Sequence, residues 1–271
     1  MTSHDFPPNP IYKEGYFLSF NDEFNSSELD TSMWLPYYLP QWSSREKSAT
    51  NYQLEKDRLI LRIEEDQAPW CPEFNGTVKV SSLQTGLFAG ELGSPFGQHR
   101  FSEKCRVREE QTPLKLYTPQ YGYFEIRAKA LASSTSVCAF WMIGFEETPE
   151  QSAEICIMEI KGKNIHSDTS VNGYGLRAFD DPNLKDEFFE EAFLFDATNF
   201  HLYAAHWQPD KIDFYLDNQK VKTIFQSPNY EMQFMLNIYE VPNEGVVDTN
   251  EHFPKQFEID YVRAYQASSG Y

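Results

Sequence analysis

The chain has 271 residues and a net charge of −18 at pH 7. An excess of negative charge this large disfavours nucleic acid and anionic membranes as partners, because like charges repel. The sequence contains no run of 18 apolar residues, so it predicts no transmembrane helix. Apolar residues make up 41% of the chain and aromatic residues 16%. The apolar content is ample for a packed core, and the aromatic rings either fill that core or form a sugar-stacking surface.

The first eight residues have neither the basic nor the apolar region of a signal peptide. We therefore expect a protein that is either cytoplasmic or exported with its leader removed, and the location is left open. Four cysteines are too few and too scattered to predict a disulfide framework or a zinc site.

Most of the chain shows the period-two alternation that is typical of β-strands. Residues 26–50 read as a loop that could form one rim of a cleft, and only residues 184–192 look briefly helical. Residues 65–118 are the least regular part, and we expect this insertion to shape a substrate cleft. The predicted strands lie at about 16–24, 54–64, 78–83, 123–130, 137–144, 154–160, 170–176, 201–207, 212–217, 232–239 and 257–265. Many short strands without a long amphipathic helix predict an all-β protein, either an antiparallel sandwich or a barrel.

The segment from Glu154 to Ile160 places two carboxylates in an otherwise apolar strand. In a regular strand Glu154 and Glu159 would point to opposite faces, and one of them would enter the core. A β-bulge at about Ile157 and Met158 removes the conflict, because one extra residue returns Glu159 to the face of Glu154. Two carboxylates on one wall are the groups that a glycosidase uses. The alternative is a pair of solvated glutamates near a sheet edge.

Several blocks of the sequence resemble the family 16 glycoside hydrolases, a group of β-glucanases with a concanavalin A-like jelly-roll fold. The family motif Glu-Ile-Asp-Ile-Met-Glu corresponds to Glu-Ile-Cys-Ile-Met-Glu at 154–159. The other matching blocks occur in the family's order, at 20–25, 121–129, 139–144, 200–207, 212–217 and 257–265. The resemblance implies one jelly-roll domain over residues 1–271, made of two curved antiparallel sheets, with an irregular insertion at about 65–118.

The resemblance also implies roles for individual residues. Glu154 corresponds to the nucleophile and Glu159 to the general acid/base of a retaining mechanism. Substrate contacts are implied for Glu125, Arg127, Asn172, Tyr174, Trp207 and Trp141. Two alternatives stay open: Glu125 and Arg127 could be an exposed strand pair, and the two tryptophans could fill the core, which for Trp141 we favour. The chemistry needs no cofactor, although a structural calcium could bind near Glu23 and Asp260.

Cys156 departs from the family pattern, because it replaces the aspartate between the two glutamates. A thiol is a weak donor and is normally neutral at pH 7. Losing one negative charge should lower the pKa of Glu154 relative to other members and orient this carboxylate less firmly. Turnover is therefore open to question, whereas the fold is not. We do not expect Cys156 to be the nucleophile, because no histidine lies near it in sequence.

The sequence thus predicts a retaining endo-β-glycanase, or a transglycosylase, that acts on a neutral β-linked polysaccharide or oligosaccharide. A β-glucan is the default substrate by resemblance only, and other neutral polymers such as galactans stay open. One rival is a catalytically inactive carbohydrate-binding protein on the same fold, which Cys156 favours. A second rival is a polysaccharide lyase, which the acidity of the chain disfavours. Oligomeric state is not readable from the sequence.

Overall fold

The computed structural model describes residues 4–242 and 252–271. Within these ranges the chain forms sixteen β-strands and three single-turn helices. The strands are β1 Tyr16–Asp22, β2 Tyr52–Leu54, β3 Leu59–Ile63, β4 Lys79–Gln84, β5 Gly86–Leu87, β6 Leu114–Lys115, β7 Gly122–Lys129, β8 Ser136–Gly144, β9 Glu154–Lys161, β10 Ser170–Arg177, β11 Glu187–Phe193, β12 His201–Trp207, β13 Ile212–Leu216, β14 Gln219–Ile224, β15 Met232–Glu240 and β16 Lys255–Ala267. The short helices are Pro40–Trp42, Pro72–Asn75 and Gly162–Asn164.

Two large antiparallel sheets pack face to face, as the sequence predicts. The eight-stranded sheet has the order β14-β13-β12-β7-β16-β3-β2, and β1 also pairs with β16. The six-stranded sheet has the order β11-β10-β9-β8-β15-β4, and β5 pairs with β6 in a small separate ribbon. Strand β9, which carries the two glutamates, is therefore an interior strand of the six-stranded sheet.

The main core lies between the sheets and follows from period-two alternation. In β7, Phe124, Ile126 and Ala128 are completely buried, because every second side chain of a strand points to the same face. The ring of Phe234 in the six-stranded sheet lies 5.4 Å from the ring of Phe124 and 5.3 Å from that of Phe140. Edge-to-face contacts of this kind stabilise the sandwich beyond simple area burial, so many of the aromatic residues serve the core.

The insertion at 65–118 packs on the outer face of the six-stranded sheet. It contains β4, where the sequence predicts a strand, together with β5, β6 and the helix Pro72–Asn75. Trp70 and Cys105 in the insertion are buried in a second apolar cluster with Ala139, Trp141 and Cys156 of the sheet. The insertion therefore builds walls on the same face as the middle residue of the two-glutamate motif.

The prediction of a helix at residues 184–192 is wrong, because Glu187–Phe193 forms the edge strand β11. Every residue of β11 pairs with β10, and the Phe189 ring packs 5.9 Å from that of Tyr174. Cross-strand pairing and ring packing outweigh the helical preference of Glu, Lys, Leu and Ala in this segment.

The turn predicted at Both residues have positive φ, 49° and 64°. Two left-handed residues in succession match the twist of a two-residue hairpin, and Asn and Asp tolerate this conformation better than other side chains. The sequence signal thus marks a hairpin whose second strand, β14, the alternation does not predict.

An N-terminal arm, residues 4–14, covers part of the outer face of the eight-stranded sheet. The Phe6 amide donates to the Phe200 carbonyl over 2.7 Å. The Asn9 side-chain amide donates to Glu125 over 2.6 Å and to Asn218 over 2.9 Å. These bonds occupy polar groups that the strand alternation leaves on this face. Across the described ranges, no helix has both the length and the apolar character needed to traverse a membrane.

Candidate active site

Strand β9 contains the predicted bulge. Against β8, Met158 lies opposite Phe140 and Cys156 lies opposite Trp141, so Ile157 is the extra residue. The pairing with β10 shifts at the same place. The prediction of a bulge at Ile157 and Met158 is confirmed.

The bulge sorts the side chains of β9 onto two faces. Glu154 and Glu159 both line one open cleft on the outer face of the six-stranded sheet, and Cys156 lies in the apolar cluster beneath it. The apolar side chains between them enter the core between the sheets; these are Ile155, Ile157, Met158 and Ile160. The extra residue thus removes the cost of placing Glu159 in hydrocarbon.

Neighbouring strand β10 holds the bulge in shape. The Asn172 side-chain oxygen accepts the backbone N–H of Glu159 over 3.2 Å, a donor that the disturbed ladder leaves without a strand partner. Gly173 faces Glu159, and a Cβ on this glycine would lie 3.1 Å from the Glu159 Cβ and 3.0 Å from the Phe188 ring. Asn172 is buried, so its observed contact is with the bulge and not with the cleft.

Arg177, at the end of β10, contacts both glutamates. Its Nε lies 3.4 Å from Glu154 Oε1 and its terminal nitrogen lies 3.5 Å from Glu159 Oε2. Its guanidinium lies 3.8 Å from the centre of the Phe188 ring, which fixes its plane. Sequence reasoning missed Arg177 because only the β9–β10 register, with Arg177 opposite Glu154, brings it to the pair.

Glu154 is 7% exposed. Burial raises the pKa of its carboxyl to about 8; Arg177 opposes this rise, and the charges of Glu159 and Asp186 add to it. Attack on a sugar requires the ionised form of Glu154, so Arg177 is the neighbour that favours the reactive state.

Cys156 lies between the two glutamates with its thiol buried. The Sγ donates to the Gly173 carbonyl over 3.7 Å. Burial and the two nearby carboxylates raise the pKa of the thiol well above its usual range, which keeps it neutral. The thiol therefore contributes a neutral, weakly polar surface where the family pattern has an acidic group.

The cleft above the pair has a volume of about 500 Å³. Trp141 lies on its floor, and the indole N–H donates to the Asn237 side chain, whose amide in turn donates to Ser82. The insertion supplies further walls, including Trp70 and His99, as the sequence predicts. A fixed aromatic plane beside two carboxylates is suited to hold a sugar ring. Trp141 thus faces the cleft and not the main core, which corrects the reading favoured from the sequence.

Two predicted substrate contacts lie in the core. Tyr174 is 1% exposed and packs between the sheets, with its ring 5.4 Å from that of Phe214. Trp207 is completely buried in the eight-stranded sheet, and its indole N–H donates to Ser227 over 2.7 Å. Expecting these side chains in the cleft is wrong, because alternation along β10 and β12 turns them inward.

Glu125 and Arg127 lie on the outer face of the eight-stranded sheet, on the far side of the core from the glutamate pair. Glu125 accepts hydrogen bonds from the Tyr261 hydroxyl over 2.8 Å and from the Asn9 amide over 2.6 Å. Arg127 is paired with Asp260 over 2.8 Å. The polar face of β7 is real, but the N-terminal arm covers it, so the expectation that it contacts substrate is wrong.

The residues expected near a structural calcium do not fit one. Glu23 is bound in a two-pronged pair by Arg263, at 2.7 and 2.9 Å, and Asp260 is paired with Arg127. Both carboxylates are thus already neutralised by guanidinium groups. Among residues 4–242 and 252–271 no group of three or more His, Cys, Asp or Glu side chains could hold a metal ion.

The sandwich fold and the paired carboxylates define a glycoside hydrolase domain, the class that acts on O-glycosyl bonds. The model of glycosyl hydrolases family 16 matches residues 116–263, more than half of the chain. The chain belongs to this family, as the sequence blocks indicate.

A solved structure of a GlcNAcα1-4Gal-releasing endo-β-galactosidase from Clostridium perfringens is similar over 98% of this chain and 67% of that chain, with a TM-score of 0.87 and 36% identity. The endo-1,3-1,4-β-glycanase ExsH of Rhizobium meliloti (strain 1021) is 22% identical over 261 residues, or 91% of this chain. A β-glucanase of Acetivibrio thermocellus is 31% identical over 155 residues, or 54% of this chain. The chain spans 51% and 42% of the lengths of these two curated relatives.

Proposed function

We propose that this chain is a retaining endo-β-glycosidase in which Glu154 is the nucleophile and Glu159 the general acid/base. The observation that carries the proposal is that the bulge in β9 places both carboxylates in one cleft, in contact with a single guanidinium. We also propose that the chain acts as one domain, with a polysaccharide or oligosaccharide substrate in the cleft.

The reaction needs two displacements. An oxygen of ionised Glu154 attacks the anomeric carbon while Glu159 donates its proton to the departing glycosidic oxygen, so the old C–O bond breaks and a glycosyl ester forms. Glu159, now ionised, takes a proton from water, and the water oxygen attacks the same carbon and releases Glu154. Two inversions retain the β configuration. The proton must therefore sit on Glu159 when substrate binds, which Arg177 favours by stabilising ionised Glu154.

We propose a β-galactosyl linkage as the bond that is cleaved. The support is the 36% identity over 98% of the chain to the endo-β-galactosidase of Clostridium perfringens. A keratan-sulfate endo-1,4-β-galactosidase of Sphingobacterium multivorum is also similar, at 24% identity over 266 residues. A β-glucan, expected from the sequence resemblance, is the competing substrate.

A product assay tests both parts of this proposal. Wild-type protein is incubated with β-galactosyl glycans and with β-1,3- and mixed-linkage glucans, and the first product is followed by NMR. We expect cleavage of the galactosides with β product formed first. Glu154→Ala and Glu159→Ala should each lose at least about 10³-fold in kcat/KM. Added azide should give an α-glycosyl azide with Glu154→Ala and a β-glycosyl azide with Glu159→Ala.

Three outcomes would contradict this proposal. Product of inverted configuration would exclude the double displacement. Cleavage of glucans alone would overturn the linkage assignment while leaving the mechanism. Equal background release by wild type and both variants on every substrate would exclude the enzyme.

A catalytically inactive carbohydrate-binding protein is the second candidate, and Cys156 is the observation that favours it. The thiol bonds to Gly173 and does not supply the acidic partner that the nucleophile has in the family pattern. Tight binding of an intact oligosaccharide, with neither cleavage nor linkage exchange, would support this candidate. Retention of both glutamates in the cleft weighs against it, because a binding protein has no use for an acid/base pair.

A further inference from the structure

A second cavity of about 310 Å³ adjoins the cleft. His99 and Phe179 line both spaces, so the two form one continuous surface. Pro149 and Ser152, which precede β9, also line the second cavity. The second cavity therefore lies at the end of β9 that begins with Glu154. A glycan whose reacting sugar sits on Glu154 would place its neighbouring sugar there.

The backbone around this cavity is strained at three lining residues. His99, Glu146 and Phe179 have φ values of 49°, 57° and 48°, in the left-handed region that disfavours residues with a side chain. Each such residue costs on the order of 1–3 kcal/mol and persists only where the surrounding structure enforces it. Three of them around one cavity indicate that its shape is specified.

Glu146 provides a polar group that the rest of the fold uses only in part. It is 5% exposed, and its Oε1 accepts the His99 backbone N–H over 2.7 Å. Its Oε2 has no hydrogen bond and no ion pair with any described residue. Burial, reinforced by the charge of Asp180, raises the pKa of Glu146 to about 8, so near neutral pH the carboxyl both donates and accepts hydrogen bonds. A buried polar atom of this kind calls for a partner.

The remaining surface of the cavity is largely apolar. Phe179 is 50% exposed although it is a large aromatic residue, and it stands where the cleft and the cavity meet. Pro95, Phe96 and Pro149 form further apolar lining. An exposed ring suits the face of a pyranose, and an apolar patch beside a carboxyl suits an acetamido group, which has a methyl, an N–H and a carbonyl.

We propose that this second cavity is a specificity subsite for an N-acetylated hexosamine residue attached to the sugar that reacts at Glu154. Phe179 stacks on the ring of this residue, and Glu146 hydrogen-bonds its acetamido group. The assignment rests on the proposed function, because it takes Glu154 as the nucleophile. Neither Phe179 nor Glu146 contacts the reacting atoms, so both act on substrate choice.

Calorimetric titration of wild-type protein with two disaccharides tests the subsite without any need for turnover. The probes are GlcNAcα1-4Gal and the matched Glcα1-4Gal, which has a hydroxyl in place of the acetamido group. We expect about tenfold tighter binding of the acetamido compound, since a methyl contact and a hydrogen bond together are worth roughly this factor.

Two variants separate the two contacts. Glu146→Leu keeps the bulk but removes the polar atoms, and it should bind both disaccharides with equal affinity. Phe179→Ala should weaken both by about tenfold and keep their ratio, because ring stacking does not involve the acetamido group. Phe225→Ala is the matched control, since Phe225 is 81% exposed and lines neither cavity. Thermal unfolding checks that each variant is folded, and Phe179→Ala keeps the test decisive if Glu146→Leu is not.

Equal wild-type affinity for the two disaccharides, or no measurable binding of either, would overturn the subsite. Phe179→Ala binding both disaccharides as tightly as wild type would overturn it as well. If hydrolysis of galactosides persists in any of these cases, the proposed function stands and only the subsite fails. If no galactoside is cleaved while the preference for the acetamido compound holds, the proposed function fails instead.

Discussion

The outer face of the eight-stranded sheet and that of the six-stranded sheet both hold a buried glutamate near an arginine. On the first, Glu125 accepts hydrogen bonds from a tyrosine hydroxyl and an asparagine amide beneath the N-terminal arm, and Arg127 is paired with Asp260. On the second, Glu154 has no hydrogen-bond donor among the described residues, and its contact with Arg177 is 3.4 Å long. Similar residues are thus satisfied on one face and left poised on the other.

The difference between these faces shows that strand alternation alone does not mark a site. A buried carboxylate with matched donors stabilises the fold. A buried carboxylate without them costs free energy, and such costs are concentrated where a protein does chemistry. The arm covers one face, whereas the insertion at 65–118 leaves a cleft on the other.

The largest effect on this comparison should come from the two arginines. Arg177→Met removes the cation that opposes the raised pKa of Glu154 while keeping apolar contact with Phe188. The pKa of Glu154 should rise further, so less of it is ionised and kcat/KM at pH 6 should fall at least about tenfold for each unit of rise. The acidic limb of the pH profile of kcat/KM should move to higher pH.

Arg127→Met is the matched control on the other face. It leaves Asp260 without its partner, so we expect a loss of stability of about 1–2 kcal/mol and an unchanged pH profile. An acidic limb that stays in place in Arg177→Met, or that moves in both variants, would contradict the electrostatic role of Arg177.

The two glutamates should respond with opposite sign when each is made neutral. The pKa of Glu154 is higher in the folded protein than in the unfolded chain, so between about pH 4.5 and pH 8 the unfolded chain loses this proton first and stability falls. Glu154→Gln cannot ionise, and it should be more stable than wild type by about 2 kcal/mol at pH 8, with no gain at pH 4.

Glu125→Gln should instead destabilise by about 1–2 kcal/mol, because the new amide N–H₂ would face one of the two donors that now bond the carboxylate. Denaturant titrations at pH 4 and pH 8 measure both variants. A destabilised Glu154→Gln at pH 8 would show that its carboxyl is matched by donors after all, and the contrast between the two faces would be lost.

The smallest effect should come from the cysteine between the glutamates. Cys156→Ala removes a neutral thiol whose hydrogen bond goes to Gly173, so kcat/KM should change by less than about threefold. Cys138→Ala, a buried thiol of the main core, is the control for the loss of volume. A fall of more than about a hundredfold in Cys156→Ala at normal stability would assign chemistry to the thiol.

Most of the strands and the bulge could be predicted from the sequence, because both depend on local alternation. Two glutamates in an apolar strand leave one arrangement that spares the core, and the structure has it. The segment at 184–192 could not be predicted, because its helical composition is overruled by pairing with β10. Arg177 could not be found either, because its place beside Glu154 depends on the β9–β10 register.

Alternation along β7, β10 and β12 correctly divides each strand into two faces, but it does not say which face is the interior of the sandwich or what covers the other. Tyr174 and Trp207 point into the core, and Glu125 and Arg127 lie under the arm. The sequence by itself determined the sandwich, the bulge and the pair at 154 and 159, because neighbouring residues decide these. Only the tertiary structure decided the walls of the cleft, the place of Arg177 and the second cavity, because contacts between residues far apart in the chain create them.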